Sequence, residues 1–351
     1  IRDERQVASD PNKAEVMPLR SESSEKPTLK TISRLCGLAV PTVSRALNDA
    51  PDIGMETKKL VRRIADEIGY VPNRAGVRLR TGRTNVISLV MSTEHDMMNH
   101  TARLISSLAG GLRGTPYHMI VTPFYPGDDI MKPIRYIVES GSADAIVFNQ
   151  TQPDDPRANY LLERGFPFAT HGRTNRCAAH AYFDFDNLAF GELAVQALAQ
   201  KGRKKILMIA PPKNQNYGRE MIEGAQAAAA RAGVEVIVSE SLNSDSAARD
   251  VRAEMIAFYR SHPGADAVFA GSTNAAMAAT ASLESIGLRL GQDVDIFSKE
   301  AIQFLKFFRP EILSVREDVG KAGTFLAQAA IHAIRAPDEP PMQGLETPKW
   351  P

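Results

Sequence analysis

From Asn85 onward the sequence alternates short apolar runs with stretches of helical periodicity, and this alternation constrains the fold more than any other feature. Strands that alternate with helices predict parallel sheets covered by helices on both faces. This body has about 265 residues, more than one sheet usually needs, so we expect two doubly wound α/β lobes. The predicted strands are Val86–Met91, His118–Val121, Ala145–Phe148, Phe166–Ala169, Ile206–Ala210, Val234–Val238, Ala267–Ala270 and Val294–Phe297.

Ahead of this body the sequence predicts three short helices, at Thr31–Cys36, Val40–Asn48 and about Met55–Ile68. Gly37 separates the first two, because glycine adopts the positive φ that ends a helix at little cost. Two short helices joined by a tight turn are typical of a helix-turn-helix, whose second helix enters the major groove of DNA. A small helical bundle that is basic by chance is the alternative interpretation.

The formal net charge of the whole chain is only +1, but the charge is unevenly distributed. Residues 28–83 carry eleven Lys and Arg against five Asp and Glu, a net charge of +6. Residues 1–27 carry a net charge of −1, and residues 84–351 carry −4. A basic segment joined to an acidic body is expected of a module that binds a polyanion, although a solvated basic helix face would give the same count.

The predicted second helix offers side chains suited to DNA. Arg45 can donate two hydrogen bonds to guanine, and Val40 can contact a thymine methyl. Lys30 and Ser44 are better placed for phosphates. In the basic segment 73–84, Leu79 suits a wedge that enters between base pairs from the minor groove. The candidate DNA-binding residues are Lys30, Val40, Pro41, Thr42, Ser44, Arg45, Asn48, Asn73, Arg78 and Leu79.

Polar side chains follow many of the predicted strands, and open parallel sheets bind ligands at the carboxyl ends of their strands. These positions are residues 92–94, 149–150, 171–173, 214–219, 272–274 and 298–300. Arginine and glutamate on opposite lobes suit a sugar, whose hydroxyls need donors and acceptors together. Some of these positions would be ordinary solvated loop residues. The candidate ligand-binding residues are Ser92, His171, Arg173, Arg219, Ser272 and Glu300.

Motifs of catalysis and of cofactor binding are missing from the sequence. It contains no Walker loop, nucleophile elbow or zinc motif, and its seven histidines are scattered without ligand spacing. Gly110, Gly111 and Gly114 follow a predicted helix rather than a strand, so they indicate a helix end and not a dinucleotide fingerprint. We therefore predict no catalytic residue, no metal site and no cofactor.

Location and the N-terminus can also be inferred from the sequence. The two cysteines, Cys36 and Cys177, are too few for a disulfide framework and fit a reducing cytosol. No apolar run approaches the roughly 18 residues of a membrane span and no signal peptide opens the chain, so we expect a cytoplasmic protein without a membrane partner. Residues 1–26 are polar without apolar periodicity, which predicts disorder, and Met17 is a candidate for the true start.

Residues 28–84, with Thr42-Val43-Ser44-Arg45 and Leu79, closely resemble the DNA-binding head and hinge of the LacI/GalR family of bacterial repressors, and the resemblance continues over nearly all of residues 28–345. It implies a homodimer or higher oligomer that binds a pseudo-palindromic operator on double-stranded DNA. It also implies a two-lobed body like that of periplasmic sugar-binding proteins, in which a small-molecule effector causes release or capture of the DNA.

After the segment 1–26, whose polar composition predicts disorder, the resemblance implies a helix-turn-helix domain at 27–72 and a hinge helix at 73–84, followed by an effector-binding and dimerisation domain at 85–351. The N-lobe would comprise about 85–186 and 317–340, and the C-lobe about 187–316 and 341–351. Crossovers between the lobes would fall at 186–187 and at 316–318. The family usually has serine N-caps where this chain has Ala39 and Gly54, at a cost of about 1 kcal/mol for alanine and less for glycine.

For the effector site, the resemblance implies that Arg219 is the effector-binding arginine, and it aligns Ser272 and Glu300 with effector contacts. The family's Gly-Phe-Asp-Asp is Ser298-Lys299-Glu300-Ala301 here, so the effector should differ from that of the best-known members. His171-Gly172-Arg173 and Ser298-Lys299-Glu300 are similar to segments of regulators of α-glucoside or α-galactoside uptake.

Together these features predict a sequence-specific transcription regulator, a repressor, whose operator affinity is controlled by a small sugar bound between two lobes. The alternative is a periplasmic-type sugar receptor that does not bind DNA. Such a receptor would need a signal peptide and would not carry a helix-turn-helix.

Overall fold

The computed structural model describes residues 26–71, 76, 78, 82–93, 98–125 and 127–350. The chain divides into two compact units between Gly82 and Arg83, an N-terminal head and a larger body. The body contains two parallel sheets flanked by helices, so the expected α/β class with two lobes is confirmed. Among the described residues, no helix has both the length and the apolar character needed to cross a membrane.

Three helices form the head: α1 Leu29–Cys36, α2 Val40–Leu47 and α3 Met55–Glu67, each within two residues of its predicted bounds. Gly37 ends α1 with a φ of 68°, as the sequence predicts. Ile32, Val43 and Val61 are fully buried where the three helices meet. Neither Ala39 nor Gly54 makes a side-chain cap hydrogen bond, which confirms that α2 and α3 lack the usual caps.

The N-lobe is built on a six-stranded parallel sheet with the order β11-β5-β4-β3-β1-β2. Its first nine elements follow one another along the chain, and its last helix and strand come from the C-terminal part. The elements are β1 Val86–Ser92, α4 Met98–Gly111, β2 His118–Phe124, α5 Met131–Ser140, β3 Ala145–Phe148, α6 Pro156–Glu163, β4 Phe168–His171, a 3₁₀ turn Cys177–Ala179, β5 Ala181–Phe185, α12 Val319–Arg335 and β11 Gln343–Glu346.

The C-lobe is built on a five-stranded parallel sheet with the order β10-β9-β8-β6-β7. It is contiguous in sequence except for packing contributed by Trp350. The elements are α7 Asn187–Gln200, β6 Lys205–Ile209, α8 Asn216–Ala232, β7 Glu235–Val238, α9 Ala248–Ser261, β8 Ala267–Ala270, α10 Thr273–Ser285, β9 Asp295–Glu300, α11 Leu305–Phe308 and β10 Leu313–Arg316.

The segment 341–351 does not belong to the C-lobe as a whole, contrary to the expectation from sequence. Its strand β11 pairs in parallel with β5 of the N-lobe, with Leu345 opposite Asp184. Farther along, Trp350 contacts Phe297 of the C-lobe core with ring centroids 5.0 Å apart. The assignment is therefore wrong for β11, because its backbone groups bond to the otherwise open edge of β5 in the N-lobe sheet.

Helices α7 and α8 approach each other closely because glycines lie at their contact. A β-carbon added to Gly224 of α8 would collide with the backbone carbonyl oxygen of Leu188 in α7. A β-carbon added to Gly191 of α7 would collide in the same way with the carbonyl of Met221. This close packing fixes α8, whose first turn reaches the boundary between the lobes.

Candidate functional site

The surface of α2 presents several of the predicted DNA-binding side chains. Pro41, Arg45 and Asn48 are exposed, whereas Val43 and Ala46 are buried in the head core. Val40, Thr42 and Ser44 are half-buried beside them, and Lys30 on α1 is exposed. The helix therefore has one face bound to the core and another available to a partner, which is the arrangement that major-groove recognition requires.

Ion pairs organise the basic side chains around the loop after α2. Asp52 pairs with the guanidinium of Arg45, and both side chains are about half exposed. Asp49 pairs with Arg62 of α3 and lies 3.7 Å from Nζ of Lys58. The hydrogen bond from Arg62 lowers the pKa of Asp49 below its usual value. Acidic side chains thus hold the arginines of α2 and α3 in defined positions.

Three of the predicted DNA contacts belong to the basic segment 73–84. Arg78 is exposed and helical. Asn73 and Leu79 lie outside the described residues, as do residues 1–25 of the predicted disordered segment.

A cavity of about 130 Å³ lies between the two lobes, at the carboxyl ends of their strands. Both lobes contribute, and most of the lining side chains are polar. The N-lobe supplies His100, Asn149, Gln150, His171, Gly172 and Asp184, and the rest of the lining is Asn187, Tyr217, Ser244, Asp245, Gly271, Ser272, Thr273, Asn274, Lys299, Ala301 and Glu317.

A buried charge cluster forms one wall of the cavity. Nζ of Lys299 lies 2.8 Å from Oε2 of Glu317 and donates to Oδ1 of Asn187 at 3.0 Å. The other carboxylate oxygen of Glu317 faces Nε2 of His100 at 3.4 Å and Nε2 of His171 at 3.7 Å. The two imidazole rings are stacked with centroids 5.1 Å apart. Since His100 and His171 belong to the N-lobe and Lys299 to the C-lobe, Glu317 at the crossover links both.

Burial determines the protonation of this cluster. Removal from water, together with the neighbouring His100, lowers the pKa of His171 to about 3, so the ring is neutral at physiological pH. Burial alone would raise the pKa of Glu317, but the ammonium of Lys299 and the contact with His100 hold it well below its usual value. The cavity wall therefore carries one carboxylate and one ammonium beside a neutral imidazole.

The loop after β3 brings an unsatisfied acceptor to the cavity. Asn149 is buried, and its Oδ1 has no hydrogen-bond partner among the described residues. Gln150 has a φ of 53°, an uncommon left-handed conformation for a residue that is not glycine. The buried guanidinium of Arg157 donates to the Gln150 carbonyl at 2.9 Å and pairs with Asp155 at 2.7 Å. This buried pair holds the strained loop against the cavity, a placement typical of binding sites.

A second charged group joins the lobes beside the cavity. Arg173, after β4, pairs with Asp184 of β5 at 2.8 Å and with Glu220 of α8 at 2.9 Å. Burial raises the pKa of Asp184 to about 7 and outweighs the opposing effect of Arg173. Burial also raises the pKa of Glu220. Nearby, the N–H of Asn216 donates to the Thr151 carbonyl at 2.7 Å, so α8 is fastened to the N-lobe twice.

The structure brings together only part of the ligand-binding set predicted from sequence. His171 and Ser272 line the cavity, whereas Ser92, Arg173, Arg219 and Glu300 do not. Arg173 is engaged in the pairs that join the lobes. Arg219 is exposed on the first turn of α8, where it donates to Asn216.

Glu300 is occupied by its own lobe. Its Oε2 accepts from the backbone N–H groups of Phe304 and Leu305, at 2.8 and 2.9 Å, and its Oε1 accepts from the hydroxyl of Ser314 at 2.7 Å. With three donors on the carboxylate, Glu300 fixes the start of α11 and contributes nothing to the cavity lining.

Several lining residues were missed by the sequence analysis. His100 lies within α4 and Glu317 at a crossover, so neither follows a predicted strand. Asp184 and Asn187 flank the end of β5, a strand that was not predicted. The histidines are scattered in the sequence but not all of them are apart in the fold. The rings of His100 and His171 are in contact although 71 positions separate them in the sequence. Only the three-dimensional fold could reveal that pair.

Models of two protein families match the chain. Residues 28–73 match the model described as bacterial regulatory proteins, lacI family, and residues 195–350 match a periplasmic binding protein-like domain. Among curated proteins, the chain is 30% identical over 327 residues to the HTH-type transcriptional regulator AglR of Rhizobium meliloti (strain 1021), covering 90% of each chain. It is also 27% identical over 327 residues to the HTH-type transcriptional regulator CelR of Thermobifida fusca, covering 92% of this chain and 96% of that protein.

Solved structures share the fold. The lac repressor dimer bound to operator and an anti-inducer has a TM-score of 0.79 at 16% identity, with 93% of this chain and 97% of that chain covered. At this identity the similarity concerns the fold alone.

Proposed function

Because the chain belongs to the lacI family of bacterial regulatory proteins, we propose that its cavity binds a small sugar and that sugar binding controls the affinity of the head for operator DNA. The observation that carries this proposal is the cavity lining, which both lobes supply. A ligand that contacts both lobes stabilises one relative arrangement of them, and so shifts the equilibrium between arrangements with different DNA affinity.

The chemistry of the lining favours a sugar. Hydroxyl groups require donors and acceptors side by side, and the lining offers amides, carboxylates, hydroxyls and an ammonium within one cavity. The unsatisfied Oδ1 of Asn149 would accept from a sugar hydroxyl, which would remove the cost of a buried polar atom without a partner, about 1–3 kcal/mol. Tyr217 provides an aromatic surface for a sugar ring. A structure of the relative CelR in complex with cellobiose is consistent with this class of ligand.

The size of the cavity favours a small ligand. Its volume of about 130 Å³ lies below the roughly 300 Å³ at which pockets for drug-sized ligands begin. A monosaccharide is nearer this size than a disaccharide. Stabilisation of this arrangement of the lobes by the bound sugar would be the signal that reaches the DNA-binding head.

In the head we propose that α2 contacts the major groove. Arg45 would donate to guanine, and Val40, Pro41 and Thr42 would lie beside it in the groove. Lys30, Ser44 and Asn48 would contact the DNA backbone or the DNA groups next to it. In the basic segment, Leu79 would be the minor-groove wedge, with Asn73 and Arg78 on the DNA backbone. The proposal includes a homodimer on a two-fold operator, because two such heads match a palindromic site.

The proposal assigns the chain no catalytic role and locates its action with the DNA in the cytoplasm. Its relatives are transcriptional regulators. The alternative, a periplasmic sugar receptor, is disfavoured because residues 28–73 match the DNA-binding family.

The test combines a sugar screen with a DNA-binding measurement on the full chain. Thermal melting is recorded against a panel of mono- and disaccharides, and operator affinity is then measured with and without each stabilising sugar. The cavity variant is Asn149→Ala, which should lose at least about tenfold in sugar affinity, the value of one good hydrogen bond to a buried group. The matched control is Asn159→Ala on α6, outside the cavity, where Asn159 donates to Asp154.

We expect a sugar that raises the melting temperature and changes operator affinity, with both effects weakened in Asn149→Ala and retained in Asn159→Ala. A sugar that stabilises the two variants equally would place the binding site elsewhere. Absence of any sugar response across the panel would overturn the sugar proposal.

A further inference from the structure

The wall of the cavity contains three potential metal ligands that converge from separate elements. His100 lies on α4, His171 ends β4, and Glu317 follows β10 at the crossover. One nitrogen of each ring and one carboxylate oxygen all lie within 4.8 Å of one another. The side chains of His171 and Glu317 are only 8% exposed, so water competes weakly for them.

The distances match those between ligands of a small divalent metal. Zinc bonded to imidazole and carboxylate at about 2.0–2.2 Å separates neighbouring tetrahedral ligands by roughly 3.4 Å. The two measured nitrogen-to-oxygen distances, 3.4 Å from His100 and 3.7 Å from His171, are close to that value. Both distances end on Oε1 of Glu317, and one ligand atom from each of the three residues lies within 4.8 Å of the other two.

The surroundings resemble the outer shell of a metal site. Lys299 donates to Oε2 of Glu317 at 2.8 Å, which orients the carboxylate and leaves Oε1 for another partner. Nδ1 of His100 is buried without a hydrogen-bond partner among the described residues. Its other nitrogen, Nε2, contacts Oε1 of Glu317 at 3.4 Å, and a metal bound between the two atoms would replace this long contact with two short bonds.

We propose that His100, His171 and Glu317 form a binding site for a divalent transition metal such as Zn²⁺, with its remaining coordination position open to the cavity. Two imidazoles and one carboxylate are a donor set suited to zinc, cobalt, nickel and ferrous iron. The inference goes beyond the proposed function, because metal binding needs neither the sugar nor DNA. When a sugar is present, its hydroxyls would be within reach of the open position.

The charge of Lys299 sets the strength of this site. An ammonium 2.8 Å from the ligating carboxylate repels a divalent cation and competes with it for Glu317. Asp245, which lines the same cavity, offsets part of this charge. Removal of the ammonium in Lys299→Met should therefore tighten metal binding, whereas a cluster that is only a salt-bridge network would bind metal in neither protein.

The test is metal binding by the full, tag-free chain after treatment with a chelator. Co²⁺ is titrated and followed by visible absorption, which reports low-coordinate cobalt, and Zn²⁺ is titrated by calorimetry and in competition with Co²⁺. The variants are His100→Gln, which changes a partly exposed side chain and so should fold, and Glu317→Gln. The matched control is His332→Gln, since His332 also faces a glutamate, Glu339 at 3.9 Å, but has no third ligand beside it.

We expect the wild type to bind one Co²⁺ per chain and Zn²⁺ to displace it. The affinity for Co²⁺ should be at least about tenfold weaker in His100→Gln and Glu317→Gln, because loss of a ligand exceeds loss of an outer-shell partner. His332→Gln should bind as the wild type does, and circular dichroism checks that each variant is folded. Absence of cobalt bands in the wild type, or equal binding by folded His100→Gln, would overturn the site. Since no sugar or DNA is present, neither result depends on the proposed regulatory function.

Discussion

At the scale of single residues, the ion pair between Arg45 and Asp52 determines what the head offers to DNA. The guanidinium expected to contact guanine is already held by a carboxylate from the loop after α2. An exposed pair of this kind contributes little to stability, typically 0–1 kcal/mol. Its effect should therefore appear in recognition, because a held guanidinium is oriented for a bidentate contact and a nearby carboxylate repels phosphates.

We expect Asp52→Ala to tighten binding to random DNA while lowering the preference for operator by up to about tenfold, within the 1–3 kcal/mol that a bidentate base contact is worth. The reason is that the variant removes a negative charge and frees Arg45 at the same time. Fluorescence anisotropy on operator and scrambled duplexes at one salt concentration measures both effects. The control Asp66→Ala removes the same charge from an exposed position on α3, and an equal loss of preference there would contradict the role of Asp52.

Asp184 makes the stability of the body depend on pH. Its pKa of about 7 in the folded protein lies above its ordinary value of 3.8, so between these values the folded state holds a proton that the unfolded state has released. The contribution of Asp184 to stability should therefore fall as pH rises from about 4 to 7, by up to about 1.4 kcal/mol per pH unit. Urea unfolding at pH 5 and at pH 7 measures how much the free energy of unfolding falls between the two pH values. This fall should be smaller for Asp184→Asn than for the wild type. An identical difference in both proteins would show that Asp184 does not titrate in this range.

The candidate site could be predicted only in part from sequence, and single residues show why. His171 and Ser272 follow strands, and the rule that parallel sheets bind ligands at strand ends located them. Arg173 follows a strand equally well, but it is engaged with Asp184 and Glu220. Glu317 lies at a crossover, where no local pattern distinguishes it. Which polar side chains reach a cavity depends on contacts between distant elements.

At the scale of elements, the close contact between α7 and α8 depends on the absence of side chains. We expect Gly224→Ala to destabilise the body by about 1–3 kcal/mol, since its β-carbon would collide with the Leu188 carbonyl and separate the helices. Gly110→Ala on α4 is the matched control, because nothing lies within 4 Å of its added β-carbon and alanine favours a helix. Chemical denaturation measures both. Loss of stability in the control alone would contradict the close-contact argument.

The elements that were predicted differ from those that were missed in a physical way. Several predicted strands, such as Ala145–Phe148 and Ala267–Ala270, are apolar throughout because both faces of a parallel sheet are covered. The strand β11, Gln343–Glu346, is half exposed at a sheet edge and has no apolar run. β5 and β10 each contain one charged residue, Asp184 and Arg316, within four or five residues. The edge strands β2 and β7 were predicted because they keep runs of apolar residues, so the loss of such a run and not edge position alone explains why β11 was missed.

At the scale of the whole molecule, contacts across the lobe boundary set the balance between lobe arrangements. Arg173 of the N-lobe pairs with Glu220 of the C-lobe at 2.9 Å, outside the cavity lining. We expect Glu220→Gln to weaken sugar binding by roughly two- to tenfold, because the sugar must then supply the free energy that held the lobes together. Calorimetry with the sugar identified in the screen measures this effect.

The matched control for that prediction is Glu192→Gln. Glu192 pairs with Arg231 at 3.1 Å, and both residues belong to the C-lobe. An equal loss of sugar affinity in this variant would mean that charge removal, and not the link between lobes, causes the effect.

The pairing of β11 with β5 has a consequence for how the protein is made. Residues 181–185 leave the ribosome well before residues 343–346. The edge of β5 therefore stays without its partner strand β11 while some 160 further residues are synthesised. Domains generally fold in the order in which they are translated. Here the C-lobe, contiguous from α7 to β10, can complete its sheet first, although it comes second in the sequence. The N-lobe would then close its sheet last, beside an already folded neighbour.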